Sequence, residues 1–173
     1  MGIQADIMIP PIIIGILIIM IFTVKSFILD TSIDNRLNNE VQSQATVSLD
    51  VIQEEVRGLK EFQSAPGASL RFVRADSDTV MIDQVNRDLR IITAPGPISL
   101  ETSADTTYHA LNIANLKFST DVSYNFADHL RVHVETESRP EQHARFREDK
   151  NTVRAISEKK IFLRHIAAKR IEN

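Results

Sequence analysis

Histidine is the residue type on which any side-chain chemistry of this chain has to rest. There are five, His109, His129, His133, His143 and His165, and no cysteine at all. A thiolate nucleophile, a disulfide and a cysteine-built metal site are therefore excluded. His129 and His133 stand four apart in HLRVHVET, where Leu130, Val132 and Val134 alternate with polar residues. That alternation is the period of a half-buried strand. On a strand the two rings share a face with their Cβ atoms roughly 13 Å apart, too far to share one metal ion. They read as exposed strand histidines.

The carboxylates lead to the same place. Glu54 and Glu55 are adjacent on a helix-patterned segment, so their side chains diverge by roughly 100° and cannot share a proton as a catalytic dyad. They read as a solvent edge or as half of a salt link to a neighbouring subunit. Asp76, Asp78 and Asp83 offer oxygen ligands, but the loop spacing and central glycine of a calcium loop are missing, and Asp76-Ser77-Asp78 reads as a turn. Only five glycines are present, and no phosphate-cradling loop, nucleophile elbow or metalloprotease motif occurs. The expectation is a non-enzyme without catalytic residues, cofactor or metal.

What these residues sit on is more telling. From Ile7 to Val24 the chain is apolar apart from Gly15 and Thr23, with nine isoleucines in the run. Eighteen helical residues rise roughly 27 Å, about the hydrocarbon thickness of a bilayer. At roughly −0.3 to −0.6 kcal/mol per strongly apolar residue, insertion is favoured by several kcal/mol. Pro10 and Pro11 at the entrance are expected to mark the helix start, where a missing N–H costs little. MGIQAD and VKSFILD flank the run, neither resembling the basic start or the small-residue cleavage site of a secretory signal.

Behind the anchor, Ile33, Leu37, Val41, Ala45, Leu49 or Val47, Ile52, Val56, Leu59 and Phe62 recur at steps of three and four, with asparagine, glutamine and acids between them. This is an amphipathic helix, expected to run unbroken from the membrane to Ser64-Ala65-Pro66-Gly67. The expected organisation is a transmembrane helix over 1–30, a stalk helix over 31–65 and a mainly antiparallel β domain over 66–173. In that last part SLRFVR (69–74) and TVMIDQV (79–85) read as a hairpin, RDLRIIT as a further strand closed by Pro95-Gly96-Pro97, and HALNIANLKFS and HLRVHVET as two more. RPEQHARFREDKN (139–151) reads as a long polar loop, and KKIFLRHI as the closing strand. The fold class is α+β, a long helix laid against an antiparallel sheet.

Net charge is −3, so no nucleic-acid partner is expected. The stretch 139–173 is basic on an otherwise acidic chain, which reads as a solvated face meeting acidic neighbours.

The apolar N-terminal helix, the stalk VQSQATVSLDVIQEEVRGLKEF and the tail ISEKKIFLRHI together resemble the type IV pilin-like proteins, most of all the minor pilins and minor pseudopilins of type II secretion systems (J- or W-type). The likeness runs along the whole chain through patterns, without a signature motif. It implies a pilin-like fold and a structural subunit of a pilus, pseudopilus or related assembly, anchored once in the inner membrane with its C-terminal domain periplasmic or extracellular. The implied partners are other subunits, met through the N-terminal helix, and the lipid bilayer.

By the same resemblance Gly2 and Ile3 flank the place where a prepilin peptidase would cut. Asp6 would stand for the acid that neutralises a neighbour's terminal amine, although it falls fourth after Gly2, where the family carries a glutamate fifth. Ile33, Leu37, Val41, Ile52 and Val56 are the expected assembly contacts. An accessory subunit of another membrane or filament complex is the alternative, and a tethered enzymatic or ligand-binding domain a lesser one.

Overall fold

The structure, a computed structural model, describes residues 2–96, 104–124, 127–139, 152–164 and 166, with backbone alone for 2–9. One helix, α1 (Gly2–Val56), is followed by eight strands: β1 (Leu59–Phe62), β2 (Ser69–Arg74), β3 (Asp78–Val85), β4 (Asp88–Pro95), β5 (Asp105–His109), β6 (Ile113–Thr120), β7 (His129–Glu137) and β8 (Arg154–Phe162). The fold is α+β, as expected. The β part is two antiparallel sheets where one was expected: β1 to β5 form the first in sequential order and β6 to β8 the second.

The helix is 55 residues long, so it rises about 82 Å. Pro10 and Pro11 lie inside it, which corrects the expectation that they mark its start. Each proline lacks the N–H that would bond the carbonyl four residues back, so the carbonyls of Asp6 and Ile7 lose their usual donors. Within a membrane-spanning helix such freed groups are tolerated where neighbouring helices, hydroxyls or water satisfy them.

The helix also ends earlier than its apolar rhythm suggests. Val56 is its last residue, and Leu59 and Phe62 belong to β1, which corrects the stalk boundary expected at 65. The register of β1 against β2 shifts between Leu59 and Glu61. Such a bulge adds one residue to the usual two-residue repeat of a strand, so Leu59 and Phe62 both point inward. A bulged strand thereby reproduces the three-residue step of a helix.

The hairpins follow the turn chemistry of their sequence. Between β2 and β3, Ser77 takes a left-handed backbone (φ 74°) and the Asp78 N–H donates to Asp76 Oδ1 at 3.1 Å. Between β3 and β4, Val85 pairs with Asp88, leaving Asn86 at φ 59° to make the reversal, a conformation asparagine tolerates better than most residues. Asn112 (φ 47°) plays the same part in the step from β5 to β6, dividing the segment HALNIANLKFS between two strands. The closing strand begins at Arg154, five residues before the expected Lys159. The expected loop 139–151 lies outside the described residues beyond Arg139.

One core joins the two sheets and the C-terminal half of α1. Leu49, Ile52 and Val56 of the helix meet Leu70, Phe72, Val80 and Ile82 of the first sheet and Phe118, Leu130, Val132 and Val134 of the second, all of them buried. Burying each such side chain contributes roughly 1.5–3 kcal/mol, so this cluster dominates the stability of the β part. The outer face of the first sheet carries a polar ladder. Arg90 on β4 donates through Nε and Nη2 to Asp83 on β3, at 2.9 and 2.5 Å. Hydrogen bonding to Asp83 raises the guanidinium above its ordinary value, and Tyr108 of β5 adds to the effect.

Candidate assembly surface

The helix has two surfaces that change over within about two turns. From Ile12 to Leu29 its large apolar side chains are exposed on every side, Ile19 at 66% and Phe27 at 71% among them. The apolar surface therefore continues past Val24 to Leu29 and stops at Asp30. Lys25 is the one charge inside it and sits among Met20, Ile21, Val24, Ile28 and Leu29. Thr23 donates to the carbonyl of Ile19 at 2.9 Å and Thr31 to that of Phe27 at 2.8 Å, so both hydroxyls are satisfied within the helix. By length and composition this one helix is able to cross a membrane.

The second surface is one-sided. Leu37, Val41, Ala45, Ser48, Leu49, Ile52 and Val56 form a buried stripe that lies against β7 and β8. Polar contacts flank and lock it. Thr136 of β7 donates to the Val41 carbonyl at 2.9 Å, Asn112 Nδ2 to Gln44 Oε1 at 3.2 Å, and Lys159 of β8 to Asp50 at 3.0 Å. Arg139 in turn donates to Asn112 Oδ1 at 2.6 Å. Farther along the helix, Glu55 pairs with Arg74 of β2 and Glu54 with Arg57.

The residues expected to make assembly contacts consequently divide into groups. Leu37, Val41, Ile52 and Val56 are held in the chain's own core, because the stripe that periodicity reveals is the one this chain's sheets cover. A side chain buried there cannot also touch another subunit while the fold is intact. Ile33, 38% exposed, stays free. Gly2, Ile3 and Asp6 lie on the helical backbone, and their side chains are outside the described residues. What periodicity did not single out is the exposed apolar surface at Phe27, Ile28 and Leu29, although an apolar triplet just past a lone lysine carries that signal.

Comparison with models of protein families, with curated proteins and with solved structures finds no match to this chain.

The candidate chemical groups are dispersed. His129 and His133 both lie on β7, as expected, and the His129 ring meets Phe162 edge-on with centroids 5.3 Å apart. His109 ends β5, on the other sheet, and His143 and His165 lie outside the described residues. Among the described residues no three histidines or carboxylates gather as a metal-binding group would require. Asp76 closes a turn, and Asp83 is held by Arg90 five strand positions from Asp78, so the three aspartates do not converge.

Two carboxylates are held below their ordinary range. Glu137 accepts a hydrogen bond from Thr152, with Arg154 and Arg87 adding favourable charge. Asp121 is lowered by its hydrogen bond from Lys160, assisted by Arg131. Both belong to ion-pair clusters that tie neighbouring strands or their connections together, Arg154 bridging Glu135 and Glu137 and Arg131 bridging Asp121 and Glu158.

Proposed function

We propose that this chain is a non-enzymatic, membrane-anchored structural subunit of a pilus, pseudopilus or related filament or secretion assembly. The observation that carries the reading is the division of one unbroken helix into an all-round apolar segment and a one-sided segment. Over a dozen large apolar side chains from Ile12 to Leu29 are exposed, roughly half or more of each open beyond its helical neighbours. Covering each is worth roughly 1.5–3 kcal/mol, so lipid and the corresponding helices of other subunits are the natural cover. The one-sided segment fixes the sheets to the same rod without a joint.

In this reading the anchor crosses the inner membrane once, and the sheets stand on its outer side as the displayed part. Assembly contacts belong to the exposed helix, including Ile33 at its membrane-distal end. They do not belong to Leu37, Val41, Ile52 and Val56, which the fold consumes. The helix supplies cohesion and the sheets supply lateral surface.

The test is mass spectrometry of the native N-terminus combined with purification of the chain together with whatever membrane neighbours it holds. Cleavage after Gly2 with a methylated Ile3, in company with other single-span subunits of like design, is the expected result. An intact Met1 would refute pilin-type maturation and favour an accessory subunit of another membrane complex. Recovery in the soluble fraction would overturn both.

A further inference from the structure

Sheet edges expose unpaired N–H and C=O groups, and folded proteins blunt them with charges, bulges, short strands or covering segments. Among the described residues, three of the four sheet edges are blunted. The β1 edge is four residues long, bulged, and carries Lys60 and Glu61. The β6 edge is capped, since Ile113 N–H donates to the Arg87 carbonyl and Phe118 N–H to the Gly67 carbonyl, both at 2.8 Å. The β8 edge carries Arg154, Glu158, Lys159 and Lys160 and is flanked by α1.

The β5 edge has no bulge and, among the described residues, no covering segment, and its one carboxylate, Asp105, stands at its first position. DTTYH contains no lysine, arginine or proline, and its register against β4 is continuous from Asp105↔Thr93 to His109↔Leu89. Asp105, Thr106, Thr107 and Tyr108 are all exposed and His109 is half-buried. The strand overhangs the core, and among the described residues nothing pairs with its outer side.

We propose that β5 pairs antiparallel with β5 of a second copy of this chain, about a twofold axis through Thr107, joining the two five-stranded sheets into one. The sequence of the strand is self-complementary in that register. Asp105 stands opposite the second copy's His109 and Thr106 opposite its Tyr108, while Thr107 faces itself. The Asp105 carboxylate can accept a hydrogen bond from the facing imidazole N–H, Thr–Thr pairs are among the favourable cross-strand neighbours, and like charges directly opposite are unfavourable. A twofold contact of this kind is self-closing, so it joins two copies and stops. It rests on the sheet alone and stands independently of the membrane reading.

The absence of cysteine makes the register testable in the full chain, purified in detergent. At a twofold-centred antiparallel position the facing Cα atoms lie about 4.5–5.5 Å apart, within disulfide reach. One residue away the identical positions are offset by two residues, about 8 Å, and out of reach. Under mild oxidation T107C is expected to cross-link at least tenfold faster than T106C and than V122C, an exposed control. Equal rates, or none, would overturn the pairing.

T107K places two lysines face to face and is expected to raise the dimer dissociation constant about tenfold in sedimentation, with an unchanged far-UV spectrum. D105K should weaken the dimer likewise, and the double variant D105K/H109E should restore it. A wild-type chain that stays monomeric, or a dimer indifferent to these substitutions because it is held by the apolar helix, would overturn the proposal.

Discussion

Thr136 Oγ1 donates to the main-chain carbonyl of Val41 at 2.9 Å with both residues buried, so the middle strand of the second sheet is bonded to the helix at the start of their common seam. The contact joins residues 95 positions apart in the chain. It marks where the free rod becomes part of a folded domain. Thr136→Val keeps the shape and removes the donor, leaving the carbonyl its helical partner. The expected cost is about 1 kcal/mol, read as a small fall in the unfolding midpoint of the chain in detergent.

Substitution along the helix should separate folding from assembly. Ile52→Ala leaves a cavity in the joint core and is expected to cost about 2–5 kcal/mol. Ile33→Asp lies outside the packed stripe and should change stability by no more than about 0.5 kcal/mol, while reducing co-purification with partner subunits. Thermal unfolding and pull-down from the same preparations check both. Equal destabilisation by the two variants would contradict the division of the helix into two surfaces.

The anchor should tolerate one charge and fail with two. About a dozen apolar residues at −0.3 to −0.6 kcal/mol each favour insertion by roughly 4–7 kcal/mol, and an arginine near the centre costs about 2.5–3.5 kcal/mol. Ile16→Arg alone should leave the chain in the membrane. Ile16→Arg with Met20→Arg brings insertion close to balance, and resistance to alkaline carbonate extraction should fall sharply.

Acid should loosen the connection between the strands of the second sheet. Glu137 is held below its ordinary value of 4.5 by Thr152 and, less strongly, by Arg154 and Arg87. A carboxylate with a depressed folded value stabilises the fold above its unfolded value, and that contribution fades as pH falls through the folded one. Between pH 7 and 5 stability should hold steady with respect to this group. Below about 4.5 it should decline, and Glu137→Gln should flatten the decline in pH-dependent denaturation curves.

Much of the strand pattern was legible because local signals agree with the global fold. The segment 69–74 carries alternation and ends at an aspartate-rich turn, and it forms β2 as read; HLRVHVET alternates strictly and forms the central strand of its sheet. The end of the helix was not legible, since Leu59 and Phe62 preserve the helical step through a bulge, leaving Gly58 as the only local sign of a break. The inward face was legible as a stripe at Leu37, Val41, Ile52 and Val56. Its partner was not, because periodicity says that a face is covered without saying whether the cover is the chain's own sheet or another subunit. The beginning of β8 was hidden as well: Arg154 to Glu158, with Ala155 and Ile156 adjacent, shows no clean alternation in isolation and pairs only because β7 is there to receive it.

Between Leu29, where the all-round apolar surface stops, and Leu37, where the packed stripe starts, α1 has about two turns of mostly exposed residues, and from Ile16 to Val56 it contains no glycine or proline. The sheets are thus geared to the apolar end of the helix. Each residue added between 30 and 36 should turn them by about 100° and raise them by about 1.5 Å relative to the buried end. One added residue should put the displayed face out of phase with its neighbours, whereas seven should return it to within about 20° of its original bearing, some 10 Å higher. Function that tracks helical phase and ignores height would show that the rod transmits orientation as well as attachment.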